Sequence, residues 1–107
     1  MKKESAFQKE LIDDIKKIFP GSIVLKNDPT YLNGIPDLIV LWNDKWACLE
    51  VKKFKTAHKQ PLQNYYVDLL NKMSFARFVY PENKEEVLDE LQRAFKSNRR
   101  TRVSKRK

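Results

Sequence analysis

Residues 34–53 of the chain read GIPDLIVLWNDKWACLEVKK. Two runs rich in β-branched and aromatic residues flank the turn signal at residues 43–45, and this pattern predicts a β-hairpin. With its apex at residues 43 and 44, the hairpin places Asp37 directly opposite Glu50. Because side chains alternate along a strand with a period of two, Lys52 lies on the same face as these two acids. The stretch therefore predicts two carboxylates and an amine close together.

Two neighbouring carboxylates in an otherwise apolar hairpin favour a bound cation. Each carboxylate raises the pKa of the other unless a positive charge neutralises them. A hard divalent ion such as Mg²⁺ accepts one or two carboxylates and keeps several waters. Lys52 could then hold an attacking water or the charge that develops on a phosphate. Spacing alone leaves open the alternative of an ordinary surface Asp, Glu and Lys on a hairpin.

Length and composition indicate one small globular domain. A chain of 107 residues can bury a single modest core, and 34% charged with 41% apolar residues is typical of a soluble protein. No apolar run approaches the ~20 residues of a membrane span, and the N-terminal MKKES precedes an amphipathic pattern, not a signal peptide. The single cysteine, Cys48, falls in a predicted strand, so we expect a core thiol, no disulfide and a cytoplasmic location.

The positive charge is concentrated at the C-terminal end. The net charge is +8, and residues 96–107 hold seven of the 22 basic residues and no acid, so that 15 basic and 14 acidic residues remain in the rest of the chain. This distribution predicts a domain over residues 1–95 followed by a basic, disordered tail over 96–107. Such a tail either binds phosphate backbones through counterion release or is simply solvated.

Hydrophobic periodicity predicts the order α-β-β-β-α-β-α. Helices are expected over residues 4–19, over residues 61–72 and from Pro81 onward, with strands at 22–26 and 75–80 beside the hairpin. This is an α/β domain with one sheet of about four strands flanked by helices. The apolar face of the second helix is predicted to comprise Leu62, Tyr65, Tyr66, Leu69 and Leu70, extended by Met73.

The first helix carries a carboxylate in an unusual position. At about 100° per residue, Glu4 falls near the middle of the apolar face, whereas Glu10 falls on the polar side. A metal site would explain an acid on the core-facing side. The alternative is that Glu4 occupies the first turn because the helix dipole favours an acid there.

Pro36-Asp37, twelve intervening residues and then Glu50-Val51-Lys52 resemble the signature of PD-(D/E)XK nucleases. Residues 34–38 match the G-x-P-D-L form of one branch, the virus-type replication-repair nucleases (VRR-NUC). Residues 60–66 look like the glutamine motif of that branch, in which Gln63 precedes an aromatic residue by three positions. The resemblance runs from about residue 4 to residue 91, and the stand-alone form is similar to bacteriophage proteins that resemble Holliday-junction resolvases.

This resemblance implies a restriction-endonuclease-like core with a mixed sheet, and a metal site. Asp37 and Glu50 would ligate Mg²⁺ or Mn²⁺, together with the backbone carbonyl of Val51. Glu4 would supply a third carboxylate, directly or through water, and a shift of this role to Glu10 is disfavoured by its helical phase.

The resemblance also implies the chemistry, which is phosphodiester hydrolysis leaving a 5′-phosphate. Lys52 would orient the attacking water and steady the phosphate, and Gln63 would position the water or Lys52. Related resolvases act as two-fold dimers, so a homodimer on branched DNA is expected. Aromatic residues available for the dimer interface include some of Tyr31, Trp42, Trp46, Tyr65 and Tyr66. The basic residues expected to contact DNA are Lys53, Lys55, Lys59, Arg99, Arg100 and Arg102.

The sequence thus supports three hypotheses. The first is a metal-dependent, structure-selective DNA endonuclease, acting on branched DNA or Holliday junctions and of phage origin. The second is a non-catalytic DNA- or RNA-binding module that grips phosphates with its tail and with the basic segment after the hairpin, although that segment could equally be a solvated loop. The third is a host-directed interaction protein that has lost the chemistry, which the intact Asp37, Glu50 and Lys52 argue against.

Overall fold

The computed structural model describes residues 3–97 and confirms the predicted order of elements. A short 3₁₀ turn at Pro81–Asn83 precedes the last helix. The helices are α1 (Glu4–Ile18), α2 (Pro61–Met73) and α3 (Lys84–Lys96), and the strands are β1 (Ile23–Lys26), β2 (Leu38–Trp42), β3 (Lys45–Val51) and β4 (Ala76–Val79). Helix α3 includes Lys96, the first residue of the predicted tail. The remainder of that tail from residue 98, including Arg99, Arg100 and Arg102, lies outside the described residues.

The four strands form one mixed sheet in the order β1-β2-β3-β4. The first two pairs are antiparallel, and β3 pairs with β4 in parallel. In the central hairpin Leu38 pairs with Leu49 and Trp42 with Lys45, so the turn has two residues. Asn43 has a φ of 57°, a left-handed conformation that asparagine tolerates better than most residues. This register continues to Asp37 opposite Glu50 and confirms the predicted hairpin.

The main core lies between one face of the sheet and the pair α1–α3. Its members are Phe7, Leu11, Ile15 and Phe19 from α1 and its end, Leu38, Val40, Ala47, Leu49, Val51 and Val79 from the sheet, Phe75, and Val87, Leu88, Leu91 and Phe95 from α3. The Trp42 ring packs at 5.0 Å from Phe19 and 6.1 Å from Phe95, and its Nε1 donates a 3.0 Å hydrogen bond to the Pro20 carbonyl. These contacts fix the end of the hairpin against both helices.

An ion-pair network also joins α1 to α3. The Lys84 Nζ donates hydrogen bonds to Glu10 Oε2 at 2.8 Å and to Asp14 Oδ2 at 2.7 Å. The two carboxylates raise the pKa of Lys84 well above its usual value, so the amine stays charged. This network confirms that Glu10 lies on the polar side of α1.

Helix α2 covers the other face of the sheet, but only over β3 and β4. Its single buried residue, Val67, packs with Cys48 and Ala76, and Leu70 adjoins them. The sheet-facing side of α2 comprises Gln63, Val67 and Leu70. Gln63 bonds to Glu50 of β3, and the other two pack with Cys48 and Ala76. The predicted apolar face is therefore wrong for three residues, which are exposed: Leu62, Tyr65 and Met73.

The edge strand β1 remains open on the side of the sheet occupied by α2. Ile23 and Leu25 are 56% and 47% exposed. Their partners across the ladder are Leu41 and Ile39 of β2. The sheet thus presents an apolar strip beyond the edge of α2. No helix within residues 3–97 is long and apolar enough to cross a membrane.

Candidate active site

Asp37 and Glu50 line the same cavity, as the hairpin predicts. Asp37 lies one residue before β2, Glu50 lies near the end of β3, and the cavity measures about 410 Å³. One further wall is the loop between β1 and β2, and the other is the beginning of α2. The remaining lining residues are Pro29, Asn33, Gly34, Ile35, Gln60, Pro61, Leu62 and Gln63.

Asp37 is held from two sides. Its Oδ2 accepts a 2.8 Å hydrogen bond from the backbone N–H of Val51, which places the Val51 main chain against this carboxylate. The backbone N–H of Asn27 donates to the Asp37 carbonyl at 2.8 Å, and the Asn27 Nδ2 donates to the Pro36 carbonyl at 2.8 Å. Asn27 therefore closes the neck of the β1–β2 loop. It was not among the predicted site residues, because its partners are backbone carbonyls.

Gln63 joins Glu50 to Lys52. The Gln63 Nε2 donates to Glu50 Oε2 at 2.8 Å, while the Gln63 Oε1 accepts from Lys52 Nζ at 2.8 Å and from the Gln60 backbone N–H at 3.0 Å. Two donors at the amide oxygen fix the orientation of the amide, because the nitrogen must then face the acid. Lys52 Nζ also donates to the His58 carbonyl at 3.0 Å and lies 3.9 Å from Glu50 Oε2. The structure therefore brings together Asp37, Glu50, Lys52 and Gln63.

The electrostatics of this cluster favour a bound cation. The pKa of Glu50 is raised to about 7, chiefly by burial and next by the charge of Asp37, while Lys52 opposes the shift. Burial also raises the pKa of Asp37, offset by the Val51 N–H and by Lys52. Glu50 is only 4% exposed. Two acids that are costly to ionise and that face one cavity are suitable ligands for a hard dication, so the residues fit Mg²⁺ or Mn²⁺.

The predicted third carboxylate, Glu4, begins α1 and is half-buried. Its charge contributes to the raised pKa of Glu50, so it acts on the site electrostatically. Among residues 3–97, however, no three His, Cys, Asp or Glu side chains lie close enough together to hold a metal. The other acid weighed for this role, Glu10, is occupied by Lys84.

The basic segment after the hairpin adjoins the site through Lys52. Lys53 and Lys55 are exposed, and the backbone N–H of Lys55 donates to Glu82 Oε1 at 3.2 Å. The Lys59 Nζ lies 5.2 Å from the centre of the Phe78 ring, which holds this amine against the sheet. Lys53 and Lys55 are thus the more available of the predicted DNA contacts in the part of the chain that the structure describes.

Comparison with solved structures agrees with this architecture. No protein-family model matches the chain, and no curated protein is significantly similar to it. A solved structure described as a VRR_NUC domain protein superposes with a TM-score of 0.63 at 17% sequence identity, over 90% of this chain and 92% of that one. The chain therefore shares its fold with a VRR_NUC domain protein over nearly the whole length of both.

Proposed function

We propose that the protein is a metal-dependent nuclease that hydrolyses phosphodiester bonds in DNA. The observation that carries this proposal is that the buried Glu50 and the half-buried Asp37 line one cavity, with Lys52 hydrogen-bonded to Gln63 of the same cavity. The fold shared with a VRR_NUC domain protein supports the same reaction class. The second hypothesis, a non-catalytic module that binds nucleic acid through its basic tail, does not explain why Gln63 connects Lys52 with the buried Glu50.

Asp37 and Glu50 would hold Mg²⁺ or Mn²⁺, with the Val51 carbonyl as a further ligand and Glu4 acting through water. When bound, such an ion supplies positive charge at the scissile phosphate and lowers the pKa of a coordinated water. The cost of ionising Glu50 falls at the same time, because the ion compensates the repulsion from Asp37.

Lys52 supplies a fixed positive charge beside the acids. Its Nζ donates hydrogen bonds to Gln63 Oε1 and to the His58 carbonyl, and these two bonds fix the position of the ammonium in the absence of substrate. The ammonium orients the attacking water and stabilises the charge that develops on the phosphate oxygens. Gln63 is a positioning residue, because it hydrogen-bonds to both Lys52 and Glu50 and holds the amine beside the acid. Cleavage leaves a 5′-phosphate.

The preferred substrate on this proposal is branched DNA such as a Holliday junction, cut by a homodimer of a phage-type enzyme. Exposed Ile23 and Leu25 on the edge strand offer an apolar patch for a two-fold contact, which would place two sites on one junction. In sedimentation experiments, Leu25→Glu should dissociate the dimer, and an unchanged sedimentation coefficient would contradict the β1 interface.

Lys53 and Lys55 would contact phosphates, which position DNA without reading its sequence.

The decisive test is cleavage of supercoiled, linear and four-way-junction DNA with and without Mg²⁺. The wild type should cut with metal only, and Asp37→Ala and Lys52→Ala should abolish cutting while folding and DNA binding persist. The surface variant Asp68→Asn, which alters an exposed pair with Lys72 on α2, should cut like the wild type. Equal cleavage by Asp37→Ala and the wild type would refute the proposal. Loss of function only on removal of residues 97–107 would support the binding module instead.

A further inference from the structure

The β1–β2 loop presents an aromatic ring beside the active-site cavity. Asn27 ties the two ends of this loop together, and Asp37 stands at the neck. At the start of the loop, the Asp28 Oδ1 accepts hydrogen bonds from the Thr30 N–H at 2.9 Å and from Thr30 Oγ1 at 2.6 Å. The next residue, Tyr31, donates its N–H to the Asp28 carbonyl at 3.1 Å, yet its side chain is 88% exposed. A hydrogen-bonded backbone thus holds out a tyrosine that contacts little of its own chain.

A second exposed tyrosine lies on α2, the helix whose beginning forms the facing wall of the cavity. The loop touches α2 where Gly34 meets Leu62, and a Cβ at residue 34 would lie 2.5 Å from the Leu62 Cβ. Both residues line the cavity. Tyr65 lies one helical turn after Leu62, is 56% exposed, and meets the Tyr66 ring edge to face at 5.0 Å. The contact between loop and helix is therefore flanked by one exposed aromatic ring on each element.

We propose that Tyr31 and Tyr65 form a stacking platform for an unpaired base of the nucleic acid next to the scissile phosphate. The inference rests on the proposed nuclease function and narrows its substrates to branched DNA in which a nucleotide beside the cut is unpaired. An aromatic ring stacks on the face of any base, but only when the base has left its own helical stack. The exposed Lys53, three residues after Glu50 in the chain, supplies charge that holds the phosphate backbone.

The position of the tyrosines favours a nucleic acid over a second copy of the chain as the occupant. They lie on the two elements that wall the cavity, whereas the apolar strip of Ile23 and Leu25 lies on the edge strand of the sheet.

The test measures binding in EDTA, so that no strand is cut. The probes are a DNA duplex with a short single-stranded gap carrying 2-aminopurine and the same duplex without a gap. Tyr31→Ala and Tyr65→Ala should each weaken binding to the gapped DNA by roughly 5- to 100-fold, leave the continuous duplex unaffected, and remove the quenching of 2-aminopurine by the protein. Tyr31→Phe keeps the ring and should bind like the wild type. Met73→Ala, an exposed apolar substitution at the far end of α2, is the matched control.

Three outcomes would overturn the platform: unchanged affinity for gapped DNA, an equal loss for gapped and continuous duplex, or conversion of a dimer to a monomer by the tyrosine variants in sedimentation. The last outcome would assign the tyrosines to a contact between copies of the chain. Asp37→Ala separates this inference from the nuclease proposal, because it should abolish cutting and retain the preference for gapped DNA. Loss of that preference only in the tyrosine variants supports the platform even if no DNA is cut.

Discussion

Replacing Glu50 by glutamine should stabilise the metal-free protein above neutral pH. The pKa of Glu50 is about 7 in the folded protein against an ordinary 4.5, chiefly because the side chain is buried and next because Asp37 repels its charge. The folded state therefore keeps a proton that the unfolded chain has already lost. The resulting stabilisation is complete below about pH 4.5 and is lost as the pH rises to about 7. Glutamine does not titrate, so the unfolding free energy of the variant does not fall over this pH range as that of the wild type does.

The magnitude follows from the pKa. One pKa unit corresponds to about 1.4 kcal/mol, so Glu50→Gln should exceed the wild type by about 3 kcal/mol in unfolding free energy at pH 8 and by nearly nothing at pH 4.5. In thermal unfolding this corresponds to roughly 10–20 °C for a domain of this size. The oxygen of the new amide can still accept the hydrogen bond from Gln63 Nε2, so this buried donor keeps its partner.

The assay is urea unfolding of both proteins in EDTA across this pH range. Asp68→Asn is the control, because Asp68 is exposed and its pair with Lys72 is worth well under about 1 kcal/mol. Adding Mg²⁺ at pH 8 should stabilise the wild type and have a smaller effect on Glu50→Gln. A difference between wild type and variant that is the same at pH 4.5 and pH 8 would refute the reasoning, because it would show that ionised Glu50 costs the fold nothing.

Three further changes test the packing around the site. Gly34→Ala should lower the unfolding free energy by roughly 2–4 kcal/mol in urea, because residue 34 has a φ of +91° and the new Cβ would meet Leu62, whereas Gly21→Ala, with a φ of +87° and open space, should cost only about 1–2 kcal/mol. Lys84→Met should cost roughly 1–3 kcal/mol, since it leaves two partly buried acids without their shared amine. The Cys48 thiol, whose pKa burial raises to about 11, should resist a thiol reagent at pH 8 until the protein unfolds.

Each of these tests has an outcome that would contradict it. Equal costs for the two glycine variants would show that the contact between loop and helix is loose. For the ion-pair network, Lys9→Met removes an exposed partner of Asp13 and should change stability by less than about 0.5 kcal/mol, so a similar loss in both lysine variants would argue against a special role for Lys84. Rapid labelling of the native thiol would mean that α2 separates readily from the sheet.

The central hairpin was predictable because local rules decide it. A two-residue turn at residues 43 and 44 and the alternation of side chains place Asp37 opposite Glu50 without any knowledge of the rest of the chain. The phase of α1 follows in the same way from a period of 3.6, and it puts Glu10 on the side where Lys84 meets it. The order of elements and the pairing of the two acids could therefore be read from the sequence, whereas the role of Gln63 was implied only by the resemblance to VRR-NUC nucleases.

The orientation of α2 could not be predicted from its own residues. Apolar side chains lie on more than one side of this helix. The sheet-facing side includes a polar residue, Gln63, which bonds to Glu50 of β3, 13 positions earlier, and to Lys52 just after β3, 11 positions earlier. The hydrogen bonds of Asn27 and of the His58 carbonyl could not be predicted either, because every residue has a backbone carbonyl and the sequence does not show which one accepts. Long-range hydrogen bonds decide these features.

The two faces of the sheet carry different features: one bears the candidate site and the other bears the main core. Apart from Glu4, the groups of the candidate site stand on the side of α2, while α1 and α3 pack against the opposite side. On the proposed nuclease function, labels or fused partners placed on the outer surface of α3 would leave the candidate site unobstructed. A laboratory could anchor the protein to a support through that surface and keep the cavity open to its substrate.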